Sequence, residues 1–171
     1  MRLSLVLLCS GRGAEAEPVV RTLSAFVAAS VRGLICDAVL AGPPNAELGL
    51  IADHAGCAMI ENETENEALR LALSSTRGSD VLILRSGHLP DIGLIEAIED
   101  LLQSGRTQER GWILRVAPEG LSQRLVPVLA PAVGLLVGRR LCMPVSDPSF
   151  RHLIKATRAR SASRLRLRRI A

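Results

Sequence analysis

The chain has 171 residues, and 48% of them are apolar, which is enough for one packed domain and argues against a disordered protein. With no Tyr, one Trp and two Phe, it has too few aromatic rings to bind single-stranded nucleic acid by base stacking. The net charge of +4 is unevenly spread, because residues 151–171 hold eight of the 21 basic residues and no acidic residue, which leaves 13 basic and 17 acidic residues in 1–150.

Short apolar runs alternate with amphipathic stretches along most of the chain. The runs are typical of buried strands, and we predict strands at Leu3–Cys9, Leu34–Leu40, Cys57–Ile60, Val81–Leu84 and Gly111–Val116. The amphipathic stretches predict helices at Pro18–Val31, Ala46–His54, Glu65–Thr76 and Asp91–Leu102. Residues 120–140 are apolar and interrupted by proline, and we expect two short helical pieces and a strand there. This order predicts an α/β fold with a mostly parallel sheet and helices on both faces.

The charge distribution predicts an α/β domain at 1–150 and a basic C-terminal tail at 151–171. We expect the tail to be helical in its first half and frayed beyond. Its basic segment, Arg158–Arg169, would suit an anionic membrane surface or an acidic partner, and it would equally serve as a plain solubilising tail. The mildly acidic body does not favour sequence-specific recognition of nucleic acid.

The four cysteines are widely spaced and form no CxxC pattern, which favours reduced, buried thiols in a cytoplasmic protein over a zinc site. The first apolar run is short for a signal peptide, and acidic residues follow it closely, so we expect a strand there. We therefore expect a cytoplasmic protein, with the inner face of the membrane as a peripheral location if the basic tail binds lipid.

The turn after the fourth predicted strand is where we first look for chemistry. Ligands of open α/β sheets bind at the carboxyl ends of the strands, and the turn carries Arg85, Ser86 and His88. Pro90 cannot continue a ladder, and from Asp91 we predict a helix with Ile92, Ile95, Ile98 and Leu102 on its apolar face.

Small residues follow two other strands at the same predicted edge. Ser10 and Gly11 follow the first strand, where backbone N–H groups could bind a phosphate, although no GxGxxG or GxxxxGK[ST] pattern is present. Gly42 lies in the loop after the second strand. Ser10, Gly11, Gly42 and Ser86 are the candidate nucleotide-binding residues, and a plain turn is the alternative interpretation of each.

Three stretches resemble family 2 glycosyltransferases of the GT-A fold, above all their short bacterial members. They are Leu34–Ala41, Leu50–Cys57 and Ala68–Leu84, and the resemblance covers Leu3 to Leu102. It implies a nucleotide-diphospho-sugar transferase fold and a nucleotide-sugar donor. It also implies a divalent cation, Mn²⁺ or Mg²⁺, held by carboxylates after the fourth strand, and a later carboxylate that acts as base on the acceptor.

The chain departs from that family at each of these functional positions. The turn after the second strand, 41–45, lacks a carboxylate, the turn 85–88 lacks the acidic metal-binding pair, and residues 131–136 are apolar where a base is expected. We therefore predict a degenerate relative, a pseudoenzyme without a metal site. One alternative is an active, metal-independent transferase in which Arg85 and His88 replace the cation. The other alternative is a non-enzymatic scaffold attached through its basic tail.

Overall fold

The computed structural model describes residues 2–11, 15–117, 130–145 and 148–170, and these form eight strands and six α-helices. The strands are β1 Leu3–Leu8, β2 Ile35–Gly42, β3 Ala58–Glu61, β4 Asp80–Arg85, β5 His88–Pro90, β6 Trp112–Val116, β7 Ala132–Gly138 and β8 Arg160–Arg169. The helices are α1 Ala16–Val31, α2 Ala46–Ala55, α3 Glu65–Ser75, α4 Leu94–Gln103, α5 Arg139–Cys142 and α6 Phe150–Ala156, with a 3-10 turn at Arg106–Gln108.

All eight strands belong to one mixed sheet with the order β3-β2-β1-β4-β7-β6-β8-β5. The first four strands in this order are parallel, so their carboxyl ends lie at one edge. Beyond β4 the neighbours β7, β6 and β5 pair antiparallel, and β8 runs parallel to β6. The predicted α/β class, with helices flanking the sheet, is confirmed, and its parallel half carries the expected edge for ligands.

Helices cover both faces of the sheet because the central strands are apolar on both sides. Every residue of β1 is buried, and β4 is buried from Asp80 to Leu84. One core cluster joins the sheet to α1, α2 and α4, and the other joins it to α3, α5 and α6. The continuous apolar runs in the sequence therefore mark strands that are enclosed by helices, as parallel strands usually are.

Two helices differ in detail from their predictions. Val27 is apolar and follows Val19 at the spacing of one helix face, which predicts that it faces inward on α1. It is 55% exposed, however, and the buried face uses Thr22 and Ala29 instead. Helix α4 begins at Leu94 instead of Asp91, and Ile92 before it is 95% exposed. Gly93 explains the later start, because its left-handed backbone turns the chain immediately before the helix.

Pro90 lies in a strand, contrary to the expectation that it would end all ladder pairing. Strand β5 is the edge of the sheet and pairs only with β8, with Pro90 opposite Leu167. An edge strand tolerates proline because one side of it needs no N–H donor. Proline is excluded from central strands, and the edge position of β5 is the exception that allows it.

The basic C-terminal segment is ordered along its described length. Helix α6 matches the helical first half of the prediction, but the expected frayed end is wrong, because residues 160–169 form β8 between β6 and β5. Leu165 and Leu167 are 1% and 0% exposed and join the core, while Arg164 and Arg168 are exposed. Two leucines among the arginines provide the alternation that anchors this strand.

Of the apolar stretch 120–140, residues 130–140 are described, and they contain the predicted strand as β7. The two helical pieces expected before it fall in 118–129, outside the described residues. Among the helices that are described, none combines the length and apolar character needed to cross a bilayer.

Candidate functional site

The carboxyl ends of the parallel strands bring all six sequence-predicted site residues to one region. A cavity of about 390 Å³, here the central cavity, follows β1 and β4 and is lined by Ser10, Arg85, Ser86, His88 and Arg169 among others. A second cavity of about 160 Å³, here the side cavity, follows β1, β2 and β3 and includes Ser10, Gly11, Gly42, Asn62, Glu63 and Glu65. Ser10 lines both, so the two cavities adjoin at the edge where α/β sheets bind ligands.

Arg85 is held in place by three different groups. Its Nη1 donates to Glu65 Oε2 at 2.8 Å and its Nη2 donates to Glu65 Oε1 at 2.5 Å, a bidentate pair with both side chains about one third exposed. Nη1 also donates to Ser10 Oγ at 3.2 Å, and the guanidinium carbon lies 5.4 Å from the centre of the Phe150 ring. Its cationic head is therefore positioned between the two cavities, with its charge matched by one carboxylate.

Glu65 is the functional neighbour that sequence reasoning missed. Its run of alternating glutamates suggests a solvated helix start, and Glu67 does pair with Arg70 at the exposed surface. Glu65, in contrast, is the first residue of α3, directly after the carboxyl end of β3, and faces the end of β4. Its place after a predicted parallel strand is the signal that could have identified it.

His88 is buried, at 9% exposure, with its ring orientation fixed by the backbone. Its Nδ1 lies 3.1 Å from the carbonyl oxygen of Arg85 and 3.2 Å from that of Ser86, so Nδ1 carries the proton. In the neutral ring Nε2 is then an acceptor, and it is buried without a partner among the described residues.

The protonation of His88 follows from this environment. Burial lowers the pKa of His88 below its ordinary value of 6.5, and the guanidinium charges of Arg169 and Arg85 lower it further, against the hydrogen bonds to carbonyl groups. The imidazole is therefore neutral at pH 7 and offers a lone pair at Nε2. Arg169, which was predicted to lie in a frayed tail, helps to lower the pKa of His88 because β8 pairs it with His88.

Ser86 and Gly42 have structural roles that explain their residue types. The backbone N–H and the Oγ of Ser86 both donate to the carbonyl oxygen of Leu8, at 3.0 and 3.1 Å, which ties the end of β4 to the end of β1. A side chain at Gly42 would overlap the carbonyl oxygen of Cys9, so only glycine permits this approach of β2 to β1. Cys9 itself is buried, and burial raises the pKa of its thiol to about 11, so it is no nucleophile at neutral pH.

The turn at the end of β4 supplies no carboxylate for a divalent metal ion. In the part of the chain that the structure describes, no three His, Cys, Asp or Glu side chains lie close enough together to hold one. A guanidinium stands at the end of β4, and it occupies both oxygens of Glu65. Asp91, the next carboxylate along the chain, lies 3.5 Å from Arg168 Nε. Mn²⁺ or Mg²⁺ would need free carboxylate oxygens at the end of β4, where the chain has the guanidinium of Arg85.

No protein-family model matches the sequence, and a comparison with curated proteins gives no significant match. Solved structures do match. A crystal structure of a mycobacterial protein is 15% identical with a TM-score of 0.71, over 98% of this chain and 66% of that one. Glucosyl-3-phosphoglycerate synthase from Mycobacterium tuberculosis, in complex with Mn²⁺ and UDP-glucose, is 16% identical with a TM-score of 0.62, over 99% of this chain and 71% of that one.

The same synthase in complex with Mn²⁺, UDP and glucosyl-3-phosphoglycerate is 18% identical with a TM-score of 0.58, over 82% of this chain and 57% of that one. This chain therefore spans 66% of the mycobacterial protein and 57% of the synthase in this complex. At such identities the likeness concerns the fold alone. The fold is that of GT-A glycosyltransferases, as the resemblance of the three sequence stretches implied.

Proposed function

We propose that the chain is a degenerate relative of the family 2 glycosyltransferases, one that keeps a nucleotide-sugar fold but has lost metal-dependent transfer. The carrying observation is the bidentate pair between Arg85 and Glu65 at the carboxyl end of β4. In the family that the sequence resembles, carboxylates follow this strand and hold a divalent cation. Here the guanidinium supplies the positive charge itself and neutralises the nearest carboxylate.

The proposed ligand is a nucleotide or nucleotide-sugar at the two adjoining cavities. Ser10 and Gly11 would approach the phosphates, and Gly42 and Ser86 would maintain the close spacing of the strand ends below them. Arg85 and Arg169 line the central cavity and would provide charge for a diphosphate without a metal ion. The structurally similar synthase was crystallised with UDP and with UDP-glucose, which supports this choice of ligand.

The metal-independent transferase remains the alternative within the enzyme class. It requires Arg85 to exchange Glu65 for a leaving diphosphate and His88 to accept a proton at Nε2. The bidentate pair, the contact to Ser10 and the position over Phe150 all oppose this exchange. The pseudoenzyme is therefore the function that the geometry supports best.

The same proposal includes a cytoplasmic location, since the cysteines among the described residues are free thiols. A scaffold role through Arg158–Arg169 stays a prediction. Any such contact would use the exposed arginines on one face of β8, because the leucines of β8 are in the core and the segment is not a free tail.

The test is a titration of UDP, GDP and UDP-glucose, with and without Mn²⁺, followed by thermal unfolding and by release of free sugar. A ligand at 100 times its dissociation constant adds about 2.7 kcal/mol to the free energy of unfolding. For a chain of this length that raises Tm by roughly 5–10 °C.

We expect a shift with UDP or UDP-glucose that Mn²⁺ does not increase, and no turnover. A shift or a turnover that depends on Mn²⁺ would contradict the loss of the metal site. Turnover without metal that disappears in Arg85→Ala would establish the alternative enzyme. If no nucleotide changes Tm, the proposed binding function is wrong.

A further inference from the structure

A third cavity, of about 770 Å³, lies at the amino end of β4, at the opposite edge of the sheet from the candidate site. Its walls come from residues 77–80 before and at the start of β4, from the 3-10 turn, and from α5 with Met143 after it. This volume is within the range of small-molecule sites in proteins. We call it the basic cavity because three arginines line it: Arg77, Arg139 and Arg140.

The positive charge of these arginines is poorly compensated. Asp80, the carboxylate in the wall, is 3% exposed and accepts from Thr107 Oγ1 at 2.6 Å, Gln108 Nε2 at 2.7 Å and Ser79 Oγ at 2.8 Å. These neutral donors hold its oxygens, and no described ion pair joins it to an arginine. Arg77 reaches Asp37 only at 3.8 Å, with its side chain 78% exposed.

Arg139 carries the strongest signal of a missing ligand. Its backbone N–H donates to the carbonyl oxygen of Ser79 at 2.9 Å, and its Nη2 donates weakly to that of Ser74 at 3.4 Å. Its Nε is buried and has no acceptor among the described residues. Buried N–H donors of a charged group are almost always satisfied, so among the described residues the hydrogen bonds of this guanidinium are incomplete and its charge is uncompensated.

We propose that the basic cavity binds a phosphate-bearing small molecule, with its phosphate on the guanidinium groups of Arg139 and Arg140. The planar fork of arginine matches two phosphate oxygens, and both arginines line the same cavity. Met143, which is 50% exposed in the cavity wall, would contact a less polar part of the ligand. Nucleic acid fits less well, because it needs basic residues spread along several phosphates.

The first test uses inorganic phosphate and pyrophosphate as probes, measured by isothermal titration at low ionic strength. Arg139→Gln and Arg140→Gln each remove one positive charge from the cavity. The matched control is Arg151→Gln, which removes one charge from the exposed surface of α6. All three variants are made in an Arg85→Gln background, because Arg85 lines the candidate site at the other edge, which is itself proposed to bind a diphosphate.

In the Arg85→Gln background we expect at least a tenfold loss of pyrophosphate affinity from adding Arg139→Gln or Arg140→Gln, and less than a twofold change from adding Arg151→Gln. An equal loss in Arg151→Gln would mean non-specific attraction and would overturn the proposal. So would unchanged affinity in both cavity variants, a loss confined to Arg85→Gln, or no binding at millimolar probe.

A second readout is measured on the wild-type chain. The Nε–H of Arg139 is buried, so its proton exchanges slowly and should give an observable ¹⁵N–¹H signal, assigned by its loss in Arg139→Lys. Pyrophosphate should shift this signal in the wild-type chain at saturating concentration. A signal that stays fixed while pyrophosphate binds elsewhere would refute the site, whether or not nucleotides bind at the other edge.

Discussion

Replacing Leu167 with alanine tests whether the basic C-terminal segment is part of the core. The side chain is 0% exposed, and β8 places it opposite Val116 on one side and Pro90 on the other. Leu167→Ala removes three buried carbons, each worth about 0.8 kcal/mol in transfer free energy, or roughly 2.4 kcal/mol in all. The cavity left behind adds to this, so we expect a loss of about 3–4 kcal/mol.

Urea unfolding measures this loss directly. With a slope of about 2 kcal/mol per molar urea, the midpoint should fall by roughly 1.5–2 M. The control is Arg164→Ala in the same strand, whose side chain is exposed, and it should change the unfolding free energy by about 0.5 kcal/mol or less. If Leu167→Ala changed stability no more than Arg164→Ala does, the segment would be a loose tail after all, and the strand β8 would be wrong.

Three further predictions concern the candidate site and its frame. A double-mutant cycle of Glu65→Gln and Arg85→Gln should give a coupling of about 0.5–1 kcal/mol in urea unfolding, and zero coupling would mean that the pair does not form in solution. Because the folded-state pKa of His88 is lowered, the unfolded chain takes up a proton at this residue first as the pH falls. The free energy of unfolding should therefore decrease as the pH drops below about 6.5, and it should decrease less steeply in His88→Gln. Equal slopes in both proteins from about pH 7.5 to 5 would contradict the burial of His88. Gly42→Ala should cost roughly 1–3 kcal/mol in unfolding free energy because its new Cβ meets the backbone of Cys9, just after β1. Gly49→Ala, in open space on α2, should instead gain about 0.5–1 kcal/mol, and the same sign for both would contradict the strand packing.

Much of the parallel half of the sheet could be predicted because its signals are local. A buried parallel strand such as β4 is a continuous apolar run, and a glycine such as Gly56 is a local stop signal because it readily adopts the left-handed backbone that ends a helix. Helix ends were less accurate, as Ile92 illustrates, since an apolar residue just before a helix has the right spacing without being buried. Hydrophobic periodicity indicates a face but does not say where the first turn begins.

The second half of the sheet depends on pairing between distant residues, which composition does not reveal. Strand β8 has few apolar residues, and its arginines dominate the sequence pattern, so the two buried leucines are easily overlooked. Strand β5 is only three residues long and contains a proline, and its ladder pairing among the described residues is with β8. These elements are set by tertiary context, where local propensity is a poor guide.

The sequence predicts that the candidate site residues share one edge of the sheet, but it does not predict their contacts. The rule that ligands lie at the carboxyl ends of strands singles out Ser10, Arg85 and His88, and the structure places all three around the central cavity. Sequence spacing gave no sign that Glu65, 20 positions away from Arg85, would hold its guanidinium. That pair is created by the neighbouring positions of two strand ends in the sheet.

The position of β8 between β6 and β5 also has a consequence for folding. The wall of the central cavity that contains His88 pairs with Arg169, about 80 positions later in the chain. Strand β1 pairs with β4 over a similar separation, so the parallel half and this wall both depend on long-range contacts, which are slow to form. Among the described strands, β5 pairs with β8 alone, so the central cavity is complete only when β8 has docked. Undocking of β8 would leave the strand that carries His88 without a ladder partner and would open that wall of the cavity.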